Sequence, residues 1–221
     1  MVLFKAMSKP ASAEAPTTSL VTPVPRGRRR DPNIGPRVLQ AALRLYGEEG
    51  WSAFTFDAVA REAGVGKPAI YRRWMSREHL LVAAFADLQI PTVRDCGSLR
   101  KDLRDFAMQY VDWYSSGYAE IGRRLLVDRD ISGELSNLFE QYVHQPRLEA
   151  AKELGRRTKR RGEIGRESEA LMAVELVIGA INTRWTYIAS ADKPVIRAKL
   201  AAYVGDLVEI VASGLESLQK K

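Results

Sequence analysis

The chain has 221 residues, of which 46% are apolar, 28% are charged and one is cysteine, and its formal net charge is +7. That length and apolar content suffice to bury a core, while a lone Cys96 excludes an internal disulfide and suits a reducing, cytoplasmic setting. No apolar run reaches the roughly 18 residues of a membrane span, and "MVLFKAM" at the start lacks the apolar core expected of a secretory signal.

Residues 1–33 hold six basic and two acidic side chains, so more than half of the excess charge sits there, mostly in "RGRRR", Arg26 to Arg30. The stretch before it, "SKPASAEAPTTSLVTPVP", is rich in Pro, Ala, Ser and Thr and has no period. Residues 1–33 therefore read as a disordered basic arm. A basic arm beside a near-neutral domain suits a polyanion, and a solvated tail is the plainer alternative.

From Ile34, apolar residues recur at three- and four-residue steps through Val38, Ala41, Ala42, Leu45 and Tyr46, and Gly50 ends this first helix. Thr55 can cap a second helix, "FDAVAREAG", that Gly64 closes. After Val65-Gly66 a third helix is expected from Lys67 to Trp74. Ser76 caps a fourth, "REHLLVAAFADL". Pro91 marks a boundary, so residues 34–90 form one expected domain and 91–221 another. In the second, Leu99–Ser116 shows helical spacing and a short helix follows near 118–127. The stretch 132–160 is broken or bent at Pro146, which lacks an amide. Long helices are expected over 167–190 and 194–218. With no alternating strand pattern, the fold class is all-α.

In "DAVAREAGVGKPAIYRRW", Ala60 and Ala63 let a second helix approach closely, and Gly64 supplies a left-handed turn. Proline suits the first turn of a helix, where Pro68 stands. If Ile70 and Trp74 point inward, then Lys67, Pro68, Ala69, Tyr71, Arg72 and Arg73 remain outside. A helix presenting cations, a phenol and small apolar surfaces fits the major groove of double-stranded DNA. The plain alternative is a solvated basic helix.

Residues 34–85 resemble the DNA-binding domain of TetR-type transcriptional regulators, through "VLQAALRLYGEEGW", "TFDAVAREAGVGKPAIYRRW" and "SREHLL" in order. The rest of the chain resembles that family only in length and helical pattern. The resemblance implies that Thr55, Tyr71 and Arg77 meet phosphates, that Lys67 sits near the start of the recognition helix, and that Ala69 and Arg72 read bases. Arg73 stands where histidine or tyrosine is usual, and Trp74 takes the place of a core phenylalanine. Gly66 replaces a capping serine, and Pro68 removes an amide that would otherwise meet a phosphate. Arg28, Arg29 and Arg30 are placed to enter the minor groove.

One short helix reads one half-site, so pairing of two copies across about 34–36 Å of DNA is expected. "LMAVELVIGAI", Leu171 to Ile181, is apolar nearly all round and needs cover on more than one side. The expected homodimer surface is Val174, Val177, Ile178 and Ile181 with Leu200, Val204, Leu207 and Val211; burial within one chain is the alternative. Phe106, Tyr110, Trp113, Tyr114, Phe139, Tyr142, Met172 and Trp185 are bulky candidates for a small-molecule effector pocket, and the same spacing describes a plain core. "GRRTKRRGE", residues 155–163, reads as a basic helix end, with a second DNA contact as the alternative. His79 and His144 lack partners at metal-ligand spacing, so no metal and no cofactor is expected. "GVGKP" is not a phosphate loop, because Arg61 stands where glycine is required and Pro68 where Ser or Thr would hold magnesium. The resulting expectation is a repressor released from a palindromic operator by a small molecule. The alternatives are a ligand-independent or architectural DNA-binding protein, or a helical enzyme using carboxylates alone.

Overall fold

The computed structural model describes residues 32–188 and 196–219, and among them the regular structure is helical throughout, with no strand. The basic arm, with Arg28, Arg29 and Arg30, lies outside the described residues, as do the expected end of one long helix near 190 and the start of the next near 194.

Four helices come first: α1 (Ile34–Glu49), α2 (Phe56–Ala63), α3 (Lys67–Tyr71) and α4 (Arg77–Phe85). The apolar steps of α1 point inward, burying Val38, Ala41, Ala42 and Tyr46. Thr55 caps α2 by accepting the Ala58 N–H at 3.1 Å. Gly64, at φ +62°, sends its own N–H back to the carbonyls of Ala60 and Arg61. This is a left-handed turn that a Cβ would strain. Helix α3 is shorter than the sequence suggests. The N–H groups of Arg73 and Trp74 both reach the Ile70 carbonyl, at 2.8 and 3.0 Å, so the chain tightens after Tyr71. It must then extend at Ser76, whose hydroxyl accepts the His79 N–H and starts α4.

The second group comprises α5 (Leu99–Trp113), α6 (Ala119–Asp128), α7 (Gly133–Phe139), α8 (Gln145–Arg160), α9 (Glu167–Thr186) and α10 (Ile196–Gln219). A kink and a widened π-turn interrupt it. Tyr114–Tyr118 bends the chain from α5 into α6 at Gly117, whose φ is +88°, so α5 ends before the expected Ser116. Glu140–His144 joins α7 to α8. Pro146 stands within the first turn of α8, and the Gln145 N–H reaches back to the Glu140 carbonyl. A wider turn thus absorbs the proline where a break was expected.

Two apolar cores result. The larger is built by α5, α8, α9 and α10. The other fills the space between α1, α2, α3 and α4, and Ile121, Leu125, Leu135 and Leu138 of α6 and α7 join it. The core of the first four helices therefore runs past the expected boundary near residue 90. At the junction α1 and α6 approach closely, because a Cβ at Gly47 would meet Ile121 Cγ1 at 3.2 Å. Arg124 of α6 donates to the carbonyls of Gly47 and Glu48, at 3.3 and 2.8 Å, satisfying acceptors that the end of α1 leaves open. The buried Asp128 carboxylate accepts the Trp51 N–H at 3.1 Å.

The basic run 155–163 is tied into the fold. Arg161 pairs with Asp95, with the fully buried Asp102 and with Glu163, which pins the segment before α5. Arg156 and Arg157 both pair with Glu153.

Candidate nucleic-acid interface and effector cavity

Helix α3 is held from behind by Ile70 and Trp74, which are 0% and 7% exposed. The opposite side carries Lys67, Pro68, Tyr71, Arg72 and Arg73, all exposed, with Ala69 half-buried between them. The Tyr71 ring packs edge-on against Phe56 at 4.9 Å, yet the residue remains 60% exposed. Its phenol is thus fixed at one end and free at the other. The Arg72 side chain has no hydrogen bond or ion pair among the described residues, whereas that of Arg73 donates to the Ala69 carbonyl at 3.2 Å. Lys67 reaches across the turn to Asp57 at 2.6 Å, and that hydrogen bond and charge hold its ammonium above the usual lysine range. Met75, 90% exposed beside the helix end, was not singled out from sequence.

Arg77, expected at a phosphate, also packs within the fold. Its guanidinium lies over the Trp51 ring at 4.1 Å, near Glu78 at 3.4 Å. It braces the start of α4 against the connection after α1, because a planar cation gains more from an indole face than from open water.

Five of the expected pocket residues line one small cavity of about 170 Å³: Tyr110, Trp113, Tyr114, Phe139 and Tyr142. The rings of Tyr110, Trp113 and Tyr114 meet at tilted or edge-on angles, as with Tyr110 and Tyr114 at 6.3 Å and 48°. Burial pushes the Tyr110 phenol up to about 12, partly offset by Arg147, and raises that of Tyr114 as well. Both are neutral donors at pH 7.

Three expected pocket residues lie elsewhere. Phe106 is fully buried, one turn back along α5, and supports Tyr110 edge-on at 5.0 Å. Met172 lies on the outer side of α9, 43% exposed, since it stands one position from the inward pair Ala173 and Val174. Trp185 lines a separate, wider cleft of about 640 Å³ against Leu43, Arg44 and Gly47 of α1. Tyr114 belongs to the walls of both spaces.

The expected pairing surface needs a larger correction. Val174, Val177, Ile178, Ile181, Leu200, Val204 and Val211 are buried in the chain's own core, and Leu207 alone is partly exposed. A helix that is apolar all round turns one stripe to its own chain. The stripe left outside is Met172, Leu176, Gly179 and Thr183 on α9 with Tyr187 just past its end, beside Leu207, Ile210 and Leu218 on α10.

Sequence reasoning also missed Arg147, which lines the small cavity from α8. The available signal was its place one residue after Pro146 and four after the apolar Val143. No group of three His, Cys, Asp or Glu fit to hold a metal occurs among the described residues, and no helix among them is long and apolar enough to cross a membrane.

Comparison with known proteins follows the same division of the chain. A family model described as bacterial regulatory proteins, tetR family, matches residues 38–84, and one described as tetracyclin repressor-like, C-terminal domain, matches residues 93–213. The chain is 28% identical over 159 residues to the uncharacterized HTH-type transcriptional regulator YdeS of Bacillus subtilis (strain 168), spanning 71% of this chain and 80% of the relative. It is 29% identical over 170 residues to the HTH-type transcriptional regulator AqdR of Rhodococcus erythropolis, spanning 75% and 80%. In fold it is similar to a solved TetR transcriptional regulator from Agrobacterium tumefaciens, with a TM-score of 0.58 and 21% identity, over 81% of this chain and 92% of that one.

Proposed function

The chain belongs to the tetR family of bacterial regulatory proteins, and from that premise we propose that it is a repressor, acting as a homodimer on a palindromic operator and released by a small molecule. At the level of the family it is a DNA-binding helix-turn-helix transcriptional regulator and not an enzyme. The observation that carries the proposal is the two-sided α3, with Ile70 and Trp74 buried behind and Tyr71, Arg72 and Arg73 presented in front.

In this reading Tyr71 and Lys67 meet phosphates, and Arg72 and Ala69 meet base edges. Pairing uses the outer stripe of α9 and α10, which sets the spacing of two α3 helices. An occupant of the small cavity presses on Tyr114, whose ring also walls the cleft against α1. The strain passes through α6 to α1 by Arg124 and to the next connection by Asp128. The occupant must prefer the arrangement that no longer matches the operator, because only a difference in affinity between states shifts the equilibrium.

Selection of bound duplexes from a random pool, followed by mass measurement of the complex, tests this. The expected result is a palindrome carrying two chains. A pool without a consensus, or one chain per site, overturns the reading.

A further inference from the structure

The structure assigns the small cavity an anionic occupant, a single-ring aromatic acid whose carboxylate pairs with Arg147. The assignment rests on the effector-site reading above for its effect on DNA, whereas binding itself follows from the cavity.

Size comes first. At about 170 Å³ the space resembles an engineered apolar cavity of about 150 Å³ that accepts benzene. One ring with a small substituent fills it. The walls suit a ring, because tilted aromatic neighbours leave faces and edges open for another aromatic plane.

Charge comes next. Arg147 Nε is shut from solvent and has no hydrogen-bond partner, and no carboxylate pairs with this guanidinium among the described residues. Trp113 Nε1 is likewise buried without a partner. The lining contains no Asp or Glu. The other guanidinium, that of Arg123, is engaged by Glu120 at 2.6 Å. Buried donors are normally satisfied, and the half-buried Arg147 is the cation of the lining that no described carboxylate answers. A carboxylate in the cavity supplies the anion that the lining lacks, its two oxygens accepting from the guanidinium fork of Arg147. A neutral ligand leaves the guanidinium unanswered, and a cationic one adds repulsion.

Calorimetric titration of the full chain with benzoate, benzamide and benzylamine tests the assignment. Benzoate is expected to bind at least about tenfold more tightly than benzamide, and benzylamine not to bind. Arg147→Met is expected to weaken benzoate by about 30-fold or more and to erase the preference over benzamide. Trp113→Phe should weaken benzoate less and keep the preference. Circular dichroism checks the fold of each variant; if Arg147→Met does not fold, Arg147→Lys and the wild-type ligand order decide. Equal binding of benzamide, preference for benzylamine, unchanged benzoate affinity in folded Arg147→Met, or no binding by any of the three at millimolar concentration overturns the assignment. Operator affinity is measured separately. Benzoate binding that leaves it unchanged keeps the anion site and removes the released-repressor reading. Release by a neutral compound, with benzoate unbound, does the reverse.

Discussion

Tyr71 and Arg72 are neighbours on one short helix, and the surroundings give them different tasks. Tyr71 is held by Phe56, so its hydroxyl reaches a fixed point and suits the sequence-independent backbone of DNA. Tyr71→Phe should weaken binding by about 0.5–1.5 kcal/mol, uniformly across operator variants. The Arg72 guanidinium has no partner among the described residues, and its free fork suits a base edge. Arg72→Ala should lose about 1–3 kcal/mol on the preferred operator and much less on mismatched ones. Gel-shift titrations on a panel of single-base variants separate the two patterns, and equal losses for both substitutions across the panel refute the division of labour. A third residue lies on the proposed path between cavity and α1. Arg124 closes the end of α1 from α6, so Arg124→Ala should destabilise the fold by about 1 kcal/mol in urea and reduce the change in operator affinity that an effector causes. Effector affinity itself should stay near the wild-type value.

Helices were legible in the sequence wherever a local rule fixed an end. Thr55 and Ser76 accept the amides expected of caps, and Gly64 takes the left-handed turn. Legibility failed where the decision is tertiary. The end of α3 is set by the need to extend at Ser76, and the kink at Pro146 is absorbed by a π-turn that begins six residues earlier. The inward stripe of α9 follows from its packing on α5 and α8, so periodicity in an all-apolar helix cannot single it out. For the same reason Arg147 was hidden, because its place after Pro146 and Val143 put it near an apolar stripe without telling a cavity-facing arginine from a solvated one. The start of α9 has its own expected signature. Burial opposes the charge of Glu169, but hydrogen bonds from the Arg166 and Gly165 amides and the Arg166 guanidinium outweigh it, so its carboxyl sits below the usual range. A depressed carboxylate adds stability that is present above the unfolded glutamate value of about 4.3 and fades as pH falls through the folded one. Glu169→Gln should therefore lower stability at neutral pH and flatten the acid limb of a pH series of urea melts. An unchanged acid limb would show that the carboxylate is not stabilising.

At the scale of the whole molecule, the proposed pairing uses an outer stripe that one chain leaves bare. Leu176 and Ile210 are 49% and 72% exposed, so charges there should not disturb the core. The double substitution Leu176→Glu with Ile210→Glu is expected to give a helical monomer by light scattering, with operator affinity reduced by about tenfold or more because two half-sites are no longer linked. A dimeric mass for this variant would place the pairing surface elsewhere. The four tryptophans mark the route between the two ends of the molecule. Trp74 sits behind α3, Trp51 lies under Arg77 with its amide on Asp128, Trp113 walls the small cavity, and Trp185 walls the cleft beside α1. The chain thus carries its own fluorophores at successive stations. Replacing all but one with phenylalanine turns emission colour and quenching into a clock, timing whether an arriving molecule is felt at the cavity, beside α1 and behind α3 in sequence or all at once.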